Sequence, residues 1–401
     1  THTCPVCLGL PGALPFINQE AIEKCIKIGL ALGCSISEHS LFERKNYFYP
    51  DLPKGYQISQ YRWPLCTNGT IEIDGEYGKK TIRINRAHQE EDTGKLTHIG
   101  SETFIDFNRS GLPLVEVVTE ADFRNSEEVR DYAKKLQQII KSIGVSEANM
   151  EKGDMRLEAN VSVRPQGQED LAPYRVELKN INSFKFIGDA IDYEVERQIK
   201  LLEKGEKITQ HTRGYNERKK ETFLQREKEE ANDYRYFPEP DLPPLSVAKE
   251  EVEKIRAGLA ELPGKKIANL EKIGVSEKVA VIITASDQKF DIFQEAITKI
   301  DSAEIAPLAT FFVNQGSKSQ SAEELLELFK SVTQQKSTQI QDEGELTKIA
   351  KEVIGENEKV IADYKSGKLN AVQILIGQLM KKTQGKADPI KAKNILVKLL
   401  S

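Results

Sequence analysis

Between Arg86 and Glu116 the chain carries two acid clusters on segments that otherwise read as strands. The first is His88-Gln-Glu90-Glu91-Asp92. The second is Asp106-Phe-Asn108-Arg109-Ser-Gly-Leu-Pro-Leu-Val-Glu116. Carboxylates on strands are costly to bury unless paired or coordinated to a metal. Magnesium takes carboxylate oxygen, water and substrate phosphate, so Glu90, Glu91, Asp92 and Glu116 are candidate ligands. Strand alternation points Glu90 and Asp92 one way and Glu91 the other, so at most one subset faces a site. The alternative is a solvated acidic turn leading into Asp92-Thr-Gly-Lys95. His88 is the only histidine beside the acids, and a structural role is the simpler reading of it. Asn108-Arg109 and Lys179-Asn180-Ile-Asn182 offer the fixed donors that phosphoryl transfer requires, or plain turn chemistry. The aromatic and basic segment Arg44 to Ser59 suits a planar or phosphorylated ligand. Its Lys45, Tyr47, Tyr49, Lys54 and Tyr56 form either a ligand wall or an aromatic core lip.

Cys4-Pro-Val-Cys7, followed by Gly9, has the shape of half a zinc knuckle. Zinc needs four ligands, and Cys25, Cys34 and Cys66 show no matching pair; His2 is a possible third. An ordinary turn with two buried thiols and a redox pair are the competing readings. There is no phosphate-binding Gly-rich loop ending in Lys-Ser/Thr, no dinucleotide fingerprint and no Ser-His-Asp arrangement. Any use of ATP therefore runs through another architecture.

Several elements are expected to position these residues. Ile17 to Leu32 reads as a helix, with Ile22, Ile26 and Leu30 on one face. Thr70 to Ile84 alternates around Asp74-Gly75 and predicts a hairpin. Ser126 to Ile143 reads as a helix with Ser126 as N-cap and Gly144 past its end. Arg156 to Arg164 alternates as a strand, and Arg156, Glu158, Asn160 and Ser162 share its polar face as the floor of a site. Val176 to Asn182 is a neighbouring strand, and Phe186 to Glu203 a helix. A Pro-rich stretch through Pro244 marks a boundary. Beyond it the pattern is helical, with caps expected at Ser246, Ser276 and Ser321, and loops at 315–320 and 334–339. Lys381, Lys382, Lys386, Lys391, Lys393 and Lys398 could meet RNA phosphates or form a solvated helix face.

A length of 401 residues implies two or three domains. No apolar run approaches the ~20 residues of a membrane helix, and the mean hydropathy is -0.48. Five cysteines, an odd count, argue against a disulfide framework and for a reducing cytoplasm. A net charge of -5 excludes a uniformly basic surface, so contact with RNA needs a local basic face. The chain opens on Thr-His-Thr-Cys, which suggests that a true N-terminus precedes it.

Together these segments resemble the B subunits of the bacterial tRNA-dependent glutamate/aspartate amidotransferases. The resemblance rests on Leu10-Pro-Gly-Ala-Leu-Pro15, Arg44-Lys-Asn-Tyr-Phe-Tyr-Pro-Asp51, Tyr56-Gln-Ile-Ser-Gln60 and Glu90-Glu-Asp-Thr-Gly-Lys95. It rests equally on Asp106 to Glu116, Glu177-Leu-Lys-Asn-Ile-Asn-Ser-Phe184 and Asp233-Tyr-Arg-Tyr-Phe-Pro-Glu-Pro-Asp241. It covers the first 240 or so residues densely and the helical remainder more loosely. It implies an α+β fold: a cradle-like domain with antiparallel sheet over 1–243, an all-α domain over 244–335, and a small α-helical YqeY-type tail over 336–401 that grips tRNA. It also implies ATP-Mg²⁺ activation of Glu on tRNA(Gln), or of Asp on tRNA(Asn), followed by amidation. Ammonia would come from a glutaminase, the A subunit, with a small C subunit joining the two. By the resemblance Glu91 and Glu116 ligate Mg²⁺, and Cys4 and Cys7 bind a structural Zn²⁺. Arg109, Lys179, Asn108 and Asn182 contact phosphate or substrate, and Lys45, Tyr47 and Tyr49 wall the site. Two departures stand out: a Gly-Leu-Glu-Val-His type strand does not appear, and the region from Gln334 to Ile340 is shorter. The competing readings are a non-catalytic tRNA-binding scaffold and a stand-alone zinc-and-ATP ligase.

Overall fold

A computed structural model describes residues 2–227, 234–337, 343–365, 369–383 and 387–400. Asp233, Lys386, residues 366–368 of the tail and the end of the loop expected at 334–339 lie outside the described residues. The chain forms two units, Thr1–Lys265 and Lys266–Ser401.

The strands of the first unit are β1 (Ser35–Ile36), β2 (His39–Ser40), β3 (Glu43–Asn46), β4 (Tyr56–Ser59), β5 (Cys66–Gly75), β6 (Gly78–Glu91), β7 (Lys95–Ile99), β8 (Glu102–Asp106), β9 (Pro113–Thr119), β10 (Leu157–Val161), β11 (Val176–Ile181), β12 (His211–Asn216), β13 (Glu221–Glu227), β14 (Phe237–Pro238) and β15 (Leu245–Ser246). Its helices are α1 (Gln19–Ala31), α2 (Ser126–Ser142), α3 (Phe184–Glu203) and α4 (Lys249–Ala257). One sheet has the order β1-β5-β6-β9, a second β10-β11-β12-β13 and a third β14-β3-β4. Pairing is antiparallel except between β11 and β12. The fold is α+β, as expected.

The expected hairpin forms and extends further, because β5 and β6 pair from Gly75 and Gly78 back to Cys66 and Ala87. α1 buries Ile22, Cys25, Ile26 and Leu30 against Ile71, Ile73, Ile82 and Ile84 in one core. Each fully buried Ile or Leu there contributes roughly 1.5–3 kcal/mol. The cap of α2 is Asn125, whose side chain accepts from the Glu128 amide, one residue earlier than expected. Ser183 caps α3 by accepting from the Lys185 amide.

The Pro-rich stretch is not a free linker. β14 pairs with β3 and β15 with β2. Val252, Ile255, Leu259 and Leu262 then pack on the first core. That apolar face is why the first unit runs to Lys265, beyond the expected 243.

The second unit comprises α5 (Pro263–Lys272, which begins at the boundary), α6 (Glu277–Thr284), α7 (Asp287–Ile297), α8 (Ser302–Phe311), α9 (Ala322–Ser337), α10 (Glu343–Glu356), α11 (Glu358–Lys365), α12 (Val372–Lys382) and α13 (Pro389–Leu400). It holds two cores, one around Phe293 and Phe312 and one around Leu346, Leu375 and Leu396. Ser276 precedes α6, and the Ser321 hydroxyl accepts from the Glu324 amide ahead of α9. Ser246 instead lies in β15. α9 continues through the start of the expected loop to Ser337.

Candidate active site

The site is carried by β6 and β9. Along β6, Ile82 and Ile84 are buried in the core. Between Ile84 and Arg86 the register against β9 shifts, and Asn68 on neighbouring β5 sits at φ 58°. After the shift Ala87 takes the core face, paired with buried Cys66. Arg86, His88 and Glu90 therefore share the opposite face. His88 pairs across the ladder with Glu116, which sets the Glu116 carboxylate beside them.

His88 Nε2 lies 3.4 Å from Glu90 Oε1 and 3.5 Å from Glu116 Oε2. His88 and Glu90 are buried, whereas the Glu116 side chain is 45% exposed to the cleft. Glu90 accepts from Ser59 Oγ at 2.7 Å and Gln57 Nε2 at 3.1 Å, and Lys45 Nζ stands 3.8 Å away. Burial alone would raise the Glu90 carboxyl, but the His88 hydrogen bond, the Lys45 charge and Ser59 outweigh it and hold it at about 2. Glu116 moves the other way. Its desolvation and the nearby Glu90 charge raise it, against the pull of His88, Lys45 and Arg86. Two carboxylates with opposed shifts and one imidazole form a site that a cation would relieve.

The donor set fits a divalent ion. His88, Glu90 and Glu116 each offer one ligand atom, all within 4.8 Å of one another. The 3.4 and 3.5 Å separations lie between the cis and trans ligand spacings of about 3.0 and 4.2 Å expected for bonds of about 2.1 Å. The carboxylates suit magnesium, while the imidazole would also accept a softer divalent ion. His88 Nδ1 is buried without a partner.

The expected Glu91–Glu116 pair does not form. Glu91 faces the other side of β6, where both its oxygens meet Lys54 Nζ at 2.7 and 2.5 Å and one accepts from the Ile58 amide at 3.0 Å. The physical reason is alternation after the register shift: Glu90, not Glu91, shares parity with His88. Asp92 is locked between Arg109, at 3.0 Å, and Arg156. Arg109 also donates to the carbonyls of Lys152 and Gly153, so it clamps the 150–154 turn. Asn108 is committed to its turn, donating to Asp106 Oδ1 at 2.6 Å and accepting from the His2 amide at 2.9 Å.

Lys45 and Tyr47 do stand at the site. Lys45 Nζ lies 5.3 Å from the Tyr234 ring centroid, and Tyr47 packs edge-on to Tyr234. Tyr49 is half exposed on the same cleft wall. Lys179 sits between Glu158, at 3.3 Å, and Glu177, at 3.4 Å. Burial works against its charge, but those two carboxylates outweigh it and raise its pKa. Asn182 is exposed nearby at the end of β11. Lys45, Tyr47, Tyr49, Glu90, Arg109, Glu116, Lys179 and Asn182 all line one cleft of about 3460 Å³ within the first unit. Small-ligand pockets hold about 300–1,000 Å³. This cleft has room for a nucleotide together with the end of a macromolecule.

Cys4 and Cys7 bring their sulfurs to 3.0 Å at the surface. The Cys7 hydrogen bonds lower the Cys4 thiol, with a smaller pull from Lys54. Cys25, Cys34 and Cys66 are buried in the first core. Among the described residues no third side chain joins Cys4 and Cys7 as a metal group. The pair offers half of a zinc ligand set.

Residue-level reading undervalued His88 and did not single out Arg86, Tyr61 or Tyr236. The available signal was the i, i+2, i+4 spacing of Arg86, His88 and Glu90, one face of a strand.

Residues 1–253 match the family model described as the GatB/GatE catalytic domain, and residues 285–400 match the one described as GatB domain. The chain is similar to the B subunit of the aspartyl/glutamyl-tRNA(Asn/Gln) amidotransferase of Persephonella marina, at 41% identity over 441 residues. It is 44% identical to that of Caldanaerobacter subterraneus subsp. tengcongensis. In both cases the match covers 100% of this chain and 93% of the relative. The corresponding protein of Symbiobacterium thermophilum is 41% identical, with 100% of this chain and 91% of the relative covered.

Proposed function

The chain belongs to the GatB/GatE family, and from that premise we propose that it is the activating and amidating subunit of a glutamine-hydrolysing tRNA amidotransferase. Its substrate is Glu on tRNA(Gln), Asp on tRNA(Asn), or both. A carboxylate is a poor acyl donor because oxide is a poor leaving group. Transfer of the γ-phosphoryl of ATP to a carboxylate oxygen releases ADP and gives an acyl phosphate. Ammonia then attacks the acyl carbon, phosphate leaves, and one proton is lost from nitrogen as the amide forms. The ammonia comes from the glutaminase partner, with the small C subunit completing the assembly, in the cytoplasm.

The observation that carries this reading is the His88–Glu90–Glu116 cluster on the cleft face of β6 and β9. A Mg²⁺ ion held there would spread the charge of the transferring phosphoryl group. Lys45 neutralises Glu90 and brings a cation to the same wall. Ser59 and Gln57 fix the Glu90 carboxylate, and His88 would turn Nε2 to the ion beside it. The Tyr47–Tyr234 pair stands beside Lys45 on that wall. Lys179, Asn182 and Tyr49, which line the same cleft, are assigned as substrate contacts. Zinc enters only as a structural ion, for which Cys4 and Cys7 supply two of four ligands.

The test is ATP hydrolysis and amide formation by the full complex with Glu-tRNA(Gln) or Asp-tRNA(Asn), glutamine and Mg²⁺. Glu90→Gln and Glu116→Gln should each lower the rate by about 100-fold or more. Undiminished amidation in both variants, with tRNA binding intact, would instead favour the scaffold reading.

A further inference from the structure

The lysines and arginines packed on and around the acid run of β6 are mostly spent in ion pairs. Lys45 stands by Glu90, Lys54 holds Glu91, Arg109 and Arg156 hold Asp92, and Lys179 lies between Glu158 and Glu177. Arg44 is bidentate to Glu239, with both contacts at 2.7 Å. Arg86 is different. Its Nε is buried and has no acceptor, and although its charge pulls on Glu116, no carboxylate among the described residues comes within ion-pair distance of it. Its guanidinium lies over the Tyr61 ring, 5.1 Å from the centroid. Tyr61 in turn stacks on Tyr236 at 4.4 Å with 12° between the planes. The guanidinium is thus held against the Tyr61 ring face, which leaves its edge donors free. A buried donor without an acceptor is costly, and a site that waits for a ligand's oxygen is one reason such a group persists.

Arg86 also has the right place. It shares the strand face of His88 and Glu90, and its ladder partner Val118 is two residues from Glu116. Two strand residues span roughly 7 Å. An arginine side chain is long enough to close that backbone offset, so a carboxylate held by the guanidinium can be brought against a phosphoryl group beside the acid cluster, as transfer requires.

We propose that Arg86 receives the side-chain carboxylate of the amino acid esterified to tRNA, and so selects the acid over its amide. The inference rests on the function proposed above. The planar fork matches a carboxylate through two parallel hydrogen bonds, whereas the amide product offers one acceptor and turns two N–H donors toward the guanidinium. The same interaction that takes in the substrate thus releases the product.

Binding without ATP or Mg²⁺ tests it. The full chain, with whatever partners it co-purifies with, is titrated with Glu-tRNA(Gln), Gln-tRNA(Gln) and uncharged tRNA(Gln), and separately with ATP. The unaltered protein should prefer Glu-tRNA over Gln-tRNA by about tenfold. Arg86→Met should abolish that preference and leave affinity for uncharged tRNA and for ATP unchanged. The preference is a ratio within one preparation, so a partly folded variant does not distort it. Should Arg86→Met fail to fold, Arg86→Lys, which keeps charge but loses the fork, should reduce the preference. Loss of ATP affinity with the preference retained would give Arg86 to the nucleotide and overturn the assignment, as would an unchanged preference in either variant. Absence of any preference in the unaltered protein would overturn the substrate reading itself.

Discussion

Glu90 and Glu91 are adjacent in sequence and have opposite duties. Glu90 joins His88 and Glu116 on the cleft face, while Glu91 closes an ion pair with Lys54 on the other. The Lys54 and Glu91 side chains are only 8% and 17% exposed, so each would be stranded without the other. Glu91→Gln is therefore a stability variant. It should cost about 3 kcal/mol in urea unfolding and leave divalent-ion affinity near that of the unaltered chain. Loss of Mn²⁺ binding in Glu91→Gln, with the fold retained, would return Glu91 to the metal site. Asp92, the third acid of the run, serves neither purpose, since it anchors Arg109 and Arg156. Three consecutive acids thus split among a proposed ligand, an ion pair on the opposite strand face and a turn clamp.

At the scale of the element, the decisive feature is the register shift of β6 against β9 next to Asn68 of β5. It lets one strand serve the hydrophobic core with Ile82 and Ile84 and then serve the cleft with His88 and Glu90. Gly69 stands at this junction. A Cβ there would lie 2.4 Å from Cys34 Sγ and 2.7 Å from the Leu32 carbonyl oxygen. That carbonyl also accepts from the Thr70 amide, which ties the exit of α1 to β5. Gly69→Ala must therefore push α1 and β5 apart, at a cost of about 3 kcal/mol. The midpoint of urea unfolding should fall with little change in its slope; an unchanged midpoint would mean that the junction yields freely. The hairpin β5–β6 and the helices α2 and α3 follow local rules, and their places were visible in alternation and helical spacing. The shift in β6 was not, because it exists only relative to β9, more than thirty residues further on.

At the scale of the whole molecule, the first unit has its own cores and contains every residue of the cleft. The second unit is helical, and its lysines divide in use. Lys382 is paired with Glu352 and Glu356, while Lys393 and Lys398 are exposed on α13. A chain ending at Lys265 should fold, bind Mn²⁺ and ATP as the full chain does, and bind tRNA at least about tenfold more weakly. Equal tRNA affinity in a filter-binding titration would remove the tail from tRNA recognition. The sequence by itself determined the fold class, the helices that carry caps, the hairpin that alternates, and the family, because each of these is written in local spacing or in motifs of consecutive residues. Alternation also established that Glu90 and Glu91 face apart. Tertiary structure alone decided which of the two meets Glu116, that Arg86 keeps its donors free, and that the Pro-rich stretch is sheet and not linker. Those outcomes depend on register and burial against partners remote in the chain, and local periodicity contains no information about them.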